Sequence, residues 1–235
     1  MKIKQAQTKQ EIETVRRLFT EYQKFLNADL CFQSFEEELS NLPGKYVHPN
    51  GDLLIGLINE RIVGCVIYGT PSSAPLRKGI CGIDESFNVL ELTRLWIEDD
   101  TPKNTESYLI GNTIKLVNKE IIVSYAEIEQ GHLGIVYQAT NWIYTGLSAK
   151  RTNWVIEGID KHCQTIADKY TSKELKEKYG DKFKKVPRPR KHRYIYFNCN
   201  KRRKKELLTK LKYKIESYPK AREKYKVIYN ALKTK

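Results

Sequence analysis

The stretch Leu53–Gly69 reads LLIGLINERIVGCVIYG, two apolar runs on either side of Asn59-Glu60. β-Branched residues are enriched in the second run, so the pair reads as a β-hairpin with its turn at Asn59-Glu60. Upstream, Lys2–Gln7 alternates briefly. Thr8-x-x-Glu11 then forms a capping box, whose two side chains satisfy backbone N–H groups at a helix start. Ile12, Val15, Phe19, Tyr22 and Leu26 follow at steps of three and four, one buried face of about four helical turns. A second box, Ser34-x-x-Glu37, starts a shorter helix that ends before Pro43-Gly44.

Downstream, a Ser-, Pro- and Gly-rich loop (Thr70–Gly82) leads to VLELTRLWI (Val89–Ile97), which has the pattern of a half-buried strand. After the turn segment EDDTPKN, a helix is predicted from about Thr105 to Lys119 and a short apolar strand at IIVSYAE (Ile121–Glu127). QGHLGIVYQATNWIY starts another amphipathic helix. The order β-α-α-β-β-β-α-β-α implies one mixed α/β sheet with helices packed on it. Lys150–Lys185 has helical composition and is broken by Pro187 and Pro189. Lys191–Phe197, KHRYIYF, alternates as a late strand, with His192 and Tyr194 on one face and Lys191 and Arg193 on the other. From Lys201 a lysine-rich helix is predicted, interrupted at Pro219, with Leu207, Leu208, Leu211 and Ile215 as its apolar face.

The chain has 235 residues, 40% of them apolar and 11% aromatic, enough for one large α/β domain or two small ones and too apolar for a disordered or collagen-like chain. Its net charge of +14 is uneven. Asp181–Lys235 holds 21 basic and 4 acidic residues, a net of +17, which leaves the first 180 residues at −3. Clustered Lys and Arg gain affinity for polyanions by releasing condensed counterions, so nucleic acid is the expected partner. The alternative is a solvated helix that docks its leucines on the domain. No stretch approaches a membrane span and the start, MKIKQAQTKQEIE, has no secretory pattern, so a cytoplasmic location is expected. Cys31, Cys65, Cys81, Cys163 and Cys199 lie too far apart for a zinc site and are expected to be reduced.

The element order and the segment Phe19–Gly69 resemble the N-terminal half of the GNAT acyltransferase superfamily, with Val89–Ile97 aligning to its fourth strand. The resemblance implies a sheet splayed between strands four and five, with an acyl-coenzyme A donor in the opening. In that family a Gly-rich loop holds the pyrophosphate at a helix N-terminus. Here Pro102–Gly111 stands in its place, with Lys103, Asn104, Thr105 and Ser107 available to an anionic group.

Three further blocks are more specific: ELTRLWIEDDTPKNTESYLIG (Glu91–Gly111), SYAEIEQGHLGIVYQATNWIYTGLSAKR (Ser124–Arg151) and PRPRKHRYIYF (Pro187–Phe197). In this order they resemble the Mom-like DNA-modification proteins of phages. The resemblance implies a GNAT-fold enzyme that converts adenine in double-stranded DNA to an N6-carbamoylmethyl derivative, protecting phage DNA from restriction in an infected or prophage-bearing host. It assigns catalytic roles to Arg94, Ser107, Glu127 and Tyr137, the family commonly having Asp at the position of Glu127. Together with the basic final quarter, this reads as a GNAT-like catalytic domain, residues 1–200, and a basic helical DNA-binding extension, residues 201–235.

From the residues themselves, Glu127 can act as a general base and Tyr137 as a proton donor. Gln130, His132, Gln138 and Asn141 cluster within twelve positions, and Gln and Asn suit bidentate reading of adenine. Tyr125, Trp142 and Tyr144 can stack on a flipped base, and Lys191, His192, Arg193 and Tyr194 can line the site or meet phosphate. Core packing for Tyr137 and Trp142, and a charged edge strand at Lys191–Tyr194, are the structural alternatives. An iron requirement has been suggested for Mom-like proteins. Tyr46 and His48 are the candidate ligands, and the metal assignment stays open. Two other functions remain: a coenzyme A-dependent N-acetyltransferase acting on a small amine or a protein, and a non-catalytic DNA-binding protein.

Overall fold

The computed structural model describes residues 1–26, 35–159, 166 and 169–220. Strand β1 (Lys2–Gln5) leads into helices α1 (Lys9–Leu26) and α2 (Phe35–Ser40), and the hairpin forms as β2 (Gly51–Ile58) and β3 (Arg61–Gly69). Asn59 and Glu60 both take positive φ, 47° and 65°, the backbone twist that suits a two-residue hairpin turn. The chain continues through α3 (Ala74–Cys81), β4 (Val89–Ile97), α4 (Thr105–Thr113), β5 (Ile121–Glu127), α5 (Ile135–Ala139) and β6 (Ile143–Leu147). It ends in β7 (Arg151–Ile156), α6 (Ser172–Tyr179), β8 (Phe183–Arg188), β9 (Lys191–Phe197) and α7 (Lys201–Lys210).

Seven strands form a mixed sheet in the order β1-β2-β3-β4-β5-β9-β6, while β7 and β8 form a separate ribbon. β4 and β5 run parallel and pair over three positions, Val89↔Ile121, Leu90↔Ile122 and Glu91↔Val123. Past Glu91 the two strands part. β4 also carries a bulge at Thr93, because Arg94 faces Ile67 while Leu92 faces Tyr68. The extra residue re-aims the side chains beyond it. Leu95 and Ile97 consequently join Leu92 on one face, and Trp96 lies on the other.

Apolar clusters cover both faces. On one, Leu54, Val66, Tyr68, Leu92 and Ile122 pack against Leu109 and Ile110 of α4. On the other, Leu53, Ile55, Cys65 and Ile67 meet Ile12, Val15, Leu18 and Phe19 of α1. Farther along that second face, Val89, Ile121, Val123 and Ile195 meet Ile80 of α3 and Leu207 of α7. The mixed α/β sheet with helices on both faces is therefore as expected. Among the described residues no helix is long and apolar enough to cross a membrane.

Four segments differ from the sequence reading. The loop after the hairpin contains α3, started by Ser73, whose hydroxyl accepts from the Leu76 N–H at 3.3 Å. The helix expected from Gln130 is only α5. Asn141 turns left-handed at φ 61°, and Ile143–Leu147 becomes β6, drawn into the ladder of β9. Lys150–Lys185, helical in composition, instead contains β7, α6 and the start of β8 among its described residues. A two-stranded ribbon is open at both edges and so tolerates Pro187.

The lysine-rich helix ends at Lys210, and Leu211–Lys220 runs back across the sheet. Lys212 N–H donates to Ile80 O at 2.9 Å and Glu216 N–H to Tyr144 O at 3.0 Å. Leu207 is buried and Ile215 is exposed. Lys191–Phe197 is an interior strand, paired with β5 on one side and β6 on the other, so the edge-strand alternative falls. Ser34, Cys31, Cys163 and residues 221–235 lie outside the described residues.

Candidate active site

The gap between β4 and β5 is bridged at its closed end by one serine. Ser124 Oγ lies 3.0 Å from the Leu92 carbonyl and 2.8 Å from the Tyr137 hydroxyl, and all three are buried. A serine has one proton. When it goes to the Leu92 carbonyl, the Tyr137 O–H can donate to Ser124, forming a chain from strand β4 to helix α5 across the closed end of the opening.

Tyr137 is held by rings. Its centroid is 5.1 Å from that of Trp142 and 5.2 Å from that of Tyr194. Tyr194 stands 5.2 Å from Tyr144, and Tyr144 is 5.5 Å from His192. Gly134 opens α5 at φ 68° directly over this group, where a Cβ would come 2.5 Å from the Tyr194 ring. Only glycine fits there. Gln138 Nε2 donates to Leu133 O at 3.0 Å and to the Tyr194 hydroxyl at 3.2 Å, which ties α5 to β9.

Burial pushes the Tyr194 phenol up to about 12 and raises that of Tyr144 as well, so both stay protonated at neutral pH. Burial lowers the pKa of His192, whose Nδ1 sits 2.8 Å from the Tyr144 hydroxyl and can accept its proton. His132, Tyr144 and His192 also line a cavity of about 410 Å³, which Glu216, Pro219 and Lys220 help to form.

The opposite face of the sheet is ionic. Glu91, half-buried on β4, has its carboxyl pushed up by burial, against the opposing pull of Lys191 and Arg94. Tyr125 of β5 is raised by the same burial and by the charge of Glu91. Arg94 Nη2 lies 3.3 Å from Glu38 of α2, whose other oxygen accepts from the Tyr46 hydroxyl at 2.6 Å. Arg94 Nη1 also donates to Thr93 O at 3.2 Å, which fixes the bulge.

Glu127 is exposed at the end of β5 and ion-paired with Lys191 across the ladder. Arg193 is buried, its guanidinium 3.4 Å from the Tyr213 ring centroid and bonded to Thr145 Oγ1 and O, both at 2.9 Å. That arrangement makes Arg193 a framework residue and takes it away from phosphate.

The structure therefore divides the sequence-derived residues by face. It brings Tyr137, Gln138, Trp142, Tyr144, His192 and Tyr194 together beneath α5, and Arg94, Tyr125, Glu127, Lys191 and Arg193 onto the ionic side. Gln130 and Asn141 are exposed and stand apart from both groups. Lys103 and Asn104 are exposed before α4, and Ser107 Oγ donates to Asn104 O at 3.1 Å. Thr105 is buried and donates to Pro102 O at 2.6 Å. Two residues escaped the sequence reading. Ser124, the polar member of the run IIVSY, was legible as an anomaly. Glu91 was not, because strand alternation points it to a face whose cover comes from distant helices.

Among the described residues no group of three or more His, Cys, Asp or Glu side chains converges as a metal site. Tyr46 turns to Glu38, while His48 lies 3.8 Å from Asp52, so the two suggested iron ligands do not meet.

The sequence model of the Mom protein family matches residues 45–220. Methylcarbamoylase mom of Escherichia phage Mu is 31% identical over 179 residues, covering 73% of this chain and 73% of that protein. An uncharacterized N-acetyltransferase of Dictyostelium discoideum is 42% identical over 67 residues, 28% of this chain and 31% of that protein. Among solved structures, yncA of Salmonella typhimurium, assigned as an acetyltransferase and solved with its cofactor acetyl-CoA, superposes with a TM-score of 0.51 at 10% identity. It covers 85% of this chain and 95% of that one, and its fold is that of the GNAT acyltransferases. The fold, the splayed β4–β5 pair and a match spanning three quarters of the sequence agree, and the chain belongs to the Mom protein family.

Proposed function

We propose that this transferase modifies adenine in double-stranded DNA, converting it to the N6-carbamoylmethyl form and so shielding phage DNA from restriction in the cytoplasm of its host. The observation that carries the reading is the β4–β5 opening, with the Ser124–Tyr137 hydroxyl pair on one face and the Glu91–Arg94–Tyr125 group on the other. Group transfer to an amine needs a base for the proton that the nitrogen sheds and an acid for the departing group. Glu91, raised by burial, suits the first task, and the Tyr137 hydroxyl, held among rings and within hydrogen-bond distance of Ser124, suits the second. Glu127, exposed and paired to Lys191, serves to position the strand end rather than to take the proton.

The adenine flips out of the duplex at an expense of a few kcal/mol, recovered by aromatic and amide contacts. Tyr144, Trp142 and Gln138 keep the aromatic wall in shape for it. A small-molecule group donor of the coenzyme A type fits the shared GNAT fold, with Lys103 and Asn104 exposed before α4 to meet its anionic end, while the Thr105 and Ser107 hydroxyls are held within that turn. Residues 1–200 carry the chemistry, and the basic residues from 201 onward add phosphate contacts. Lys201, Arg202, Lys204 and Lys205 have no ion pair among the described residues, whereas Arg203 and Lys210 bind Glu85.

Nucleoside mass spectrometry tests this on plasmid DNA from cells expressing the wild type or a Glu91→Gln, Tyr137→Phe double variant. A deoxyadenosine heavier by the carbamoylmethyl increment is expected with the wild type alone. Unmodified DNA with the wild type, alongside acetylation of a polyamine by the purified protein, would replace the reading with that of a small-amine acetyltransferase.

A further inference from the structure

The β7–β8 ribbon grows directly from the site, and at its root the charge of Arg151 is felt at Tyr125. β6 leads into β7 and β8 into β9, at the end of the sheet where Glu127 pairs with Lys191 and β4 and β5 stand apart. Its root is fixed: Arg190 donates to Ser148 O at 2.6 Å and to Leu147 O at 3.1 Å, and Ser148 N–H donates to Lys191 O at 2.8 Å. The register Arg151↔Arg188 through Ile156↔Phe183 sorts its side chains into two faces. Trp154, Ile156 and Phe183 face a small core completed by Ile166 and Leu175. The other face presents Arg151, Val155, Lys184, Val186 and Arg188, with Val155 42% and Val186 36% exposed.

Two exposed valines framed by cations are a poor free surface, because an open ribbon edge with apolar side chains invites misassociation. The same combination suits the major groove of B-form DNA. That groove is about 12 Å wide and admits a two-stranded ribbon, whose strands are about 4.8 Å apart. Arginines reach guanine edges or phosphates there, and small apolar side chains meet thymine methyl groups. Arg151 and Arg188 have no ion pair among the described residues, while Lys184 is held by Glu157 at 3.0 Å. The outer face carries no aromatic ring; Trp154 is turned inward beneath Lys185. Single-strand binders depend on such rings for base stacking, and the major groove of A-form RNA is too narrow to enter, so the chemistry selects duplex DNA.

We propose that the β7–β8 ribbon lies in the major groove of duplex DNA and presents the neighbouring nucleotide to the β4–β5 opening. This rests on the DNA-modification reading above. The test is fluorescence anisotropy of the full-length protein with a labelled 25-base-pair duplex over a range of salt, for wild type, Arg151→Gln/Arg188→Gln and Val155→Ser/Val186→Ser. All four positions are exposed, so thermal midpoints should stay close to wild type. The arginine variant is expected to bind at least about tenfold more weakly and to lose about two from its log–log salt slope. The valine variant should keep the salt slope and lose preference for thymine-rich duplexes. Glucosylating hydroxymethylcytosines in the duplex, which fills the major groove, should weaken the wild type and have little effect on the arginine variant.

Wild-type duplex binding that both ribbon variants retain in full would overturn the proposal and leave the DNA reading intact. No wild-type binding to duplex DNA would sink both. Equal loss of single-strand and duplex binding would make the ribbon a general anion contact. A wild-type dimer in sedimentation that the variants dissociate, with DNA affinity unchanged, would assign the ribbon to self-association.

Discussion

On the side of the sheet covered by α4 and α5, the walls of the β4–β5 opening are rings and hydroxyls, with Tyr137, Trp142, Tyr144 and Tyr194 in one contiguous stack. On the side covered by α1 and α2, they are ions, with Arg94 bound to Glu38 and Glu91 beside Tyr125. Both sides are buried, and burial acts on both in the same direction by disfavouring the charged form. Its chemical consequence differs. A phenol pushed upward remains a proton donor across the working range, whereas a carboxyl pushed upward becomes a stronger base once ionised. One physical effect thus gives two residue types different chemical tendencies: phenols stay protonated on both sides of the sheet, and Glu91 on the ionic side becomes the stronger base.

Four substitutions would break or sharpen this contrast. Trp142→Ala removes the largest fully buried side chain from the aromatic face and should lower stability by about 3–5 kcal/mol, read by urea denaturation. A loss below about 1 kcal/mol would mean that the ring stack does not organise that side.

Arg94→Leu leaves the nearly buried Glu38 carboxylate with, among the described residues, only the Tyr46 hydroxyl to face it. The expected loss is about 2–4 kcal/mol, partly restored by adding Glu38→Gln, as a double-mutant cycle would report. Full additivity of the two changes would show that the ionic face is not held by this pair.

Glu91→Gln tests the base. Because burial raises its carboxyl, wild-type activity should climb with pH as Glu91 ionises, and the variant should lose that limb. The effect on stability has a definite sign. A raised folded-state pKa gives stability that is complete below the unfolded value and fades as pH rises through the folded one. Glu91→Gln should therefore be as stable as wild type or more so at pH 8, with the advantage disappearing in acid. An unaltered pH–rate profile would pass the role of base to another group.

Glu127→Gln should change least, within about 0.5 kcal/mol by thermal melting, since an exposed pair with Lys191 contributes little. Loss of modification with stability intact would return Glu127 to the catalytic role that its motif suggested.

The same distinction between local and distant causes separates what was legible in the sequence from what was not. The Leu53–Gly69 hairpin and helix α1 could be read because their apolar period is written in consecutive residues, and Ile12, Val15 and Phe19 are indeed buried. Tyr137 stood out by its motif. β6 was hidden because a five-residue strand following a one-turn helix has too short a period to announce itself. The ribbon was hidden because Lys, Glu and Arg are good helix formers locally, and only pairing between Arg151–Ile156 and Phe183–Arg188, some thirty residues apart, makes them strands.

By itself the sequence determined the α/β class, the hairpin, the first helix, the basic final quarter and the family motifs, all of which depend on residue type at short range. Only the tertiary structure decided that β4 and β5 part after Glu91, that Arg203 and Lys210 of the basic helix are taken up by Glu85, and that Glu91 and Tyr137 belong to opposite faces. Those outcomes depend on desolvation and charge pairing between segments far apart in the chain, and burial acts on a group only once its neighbours have arrived.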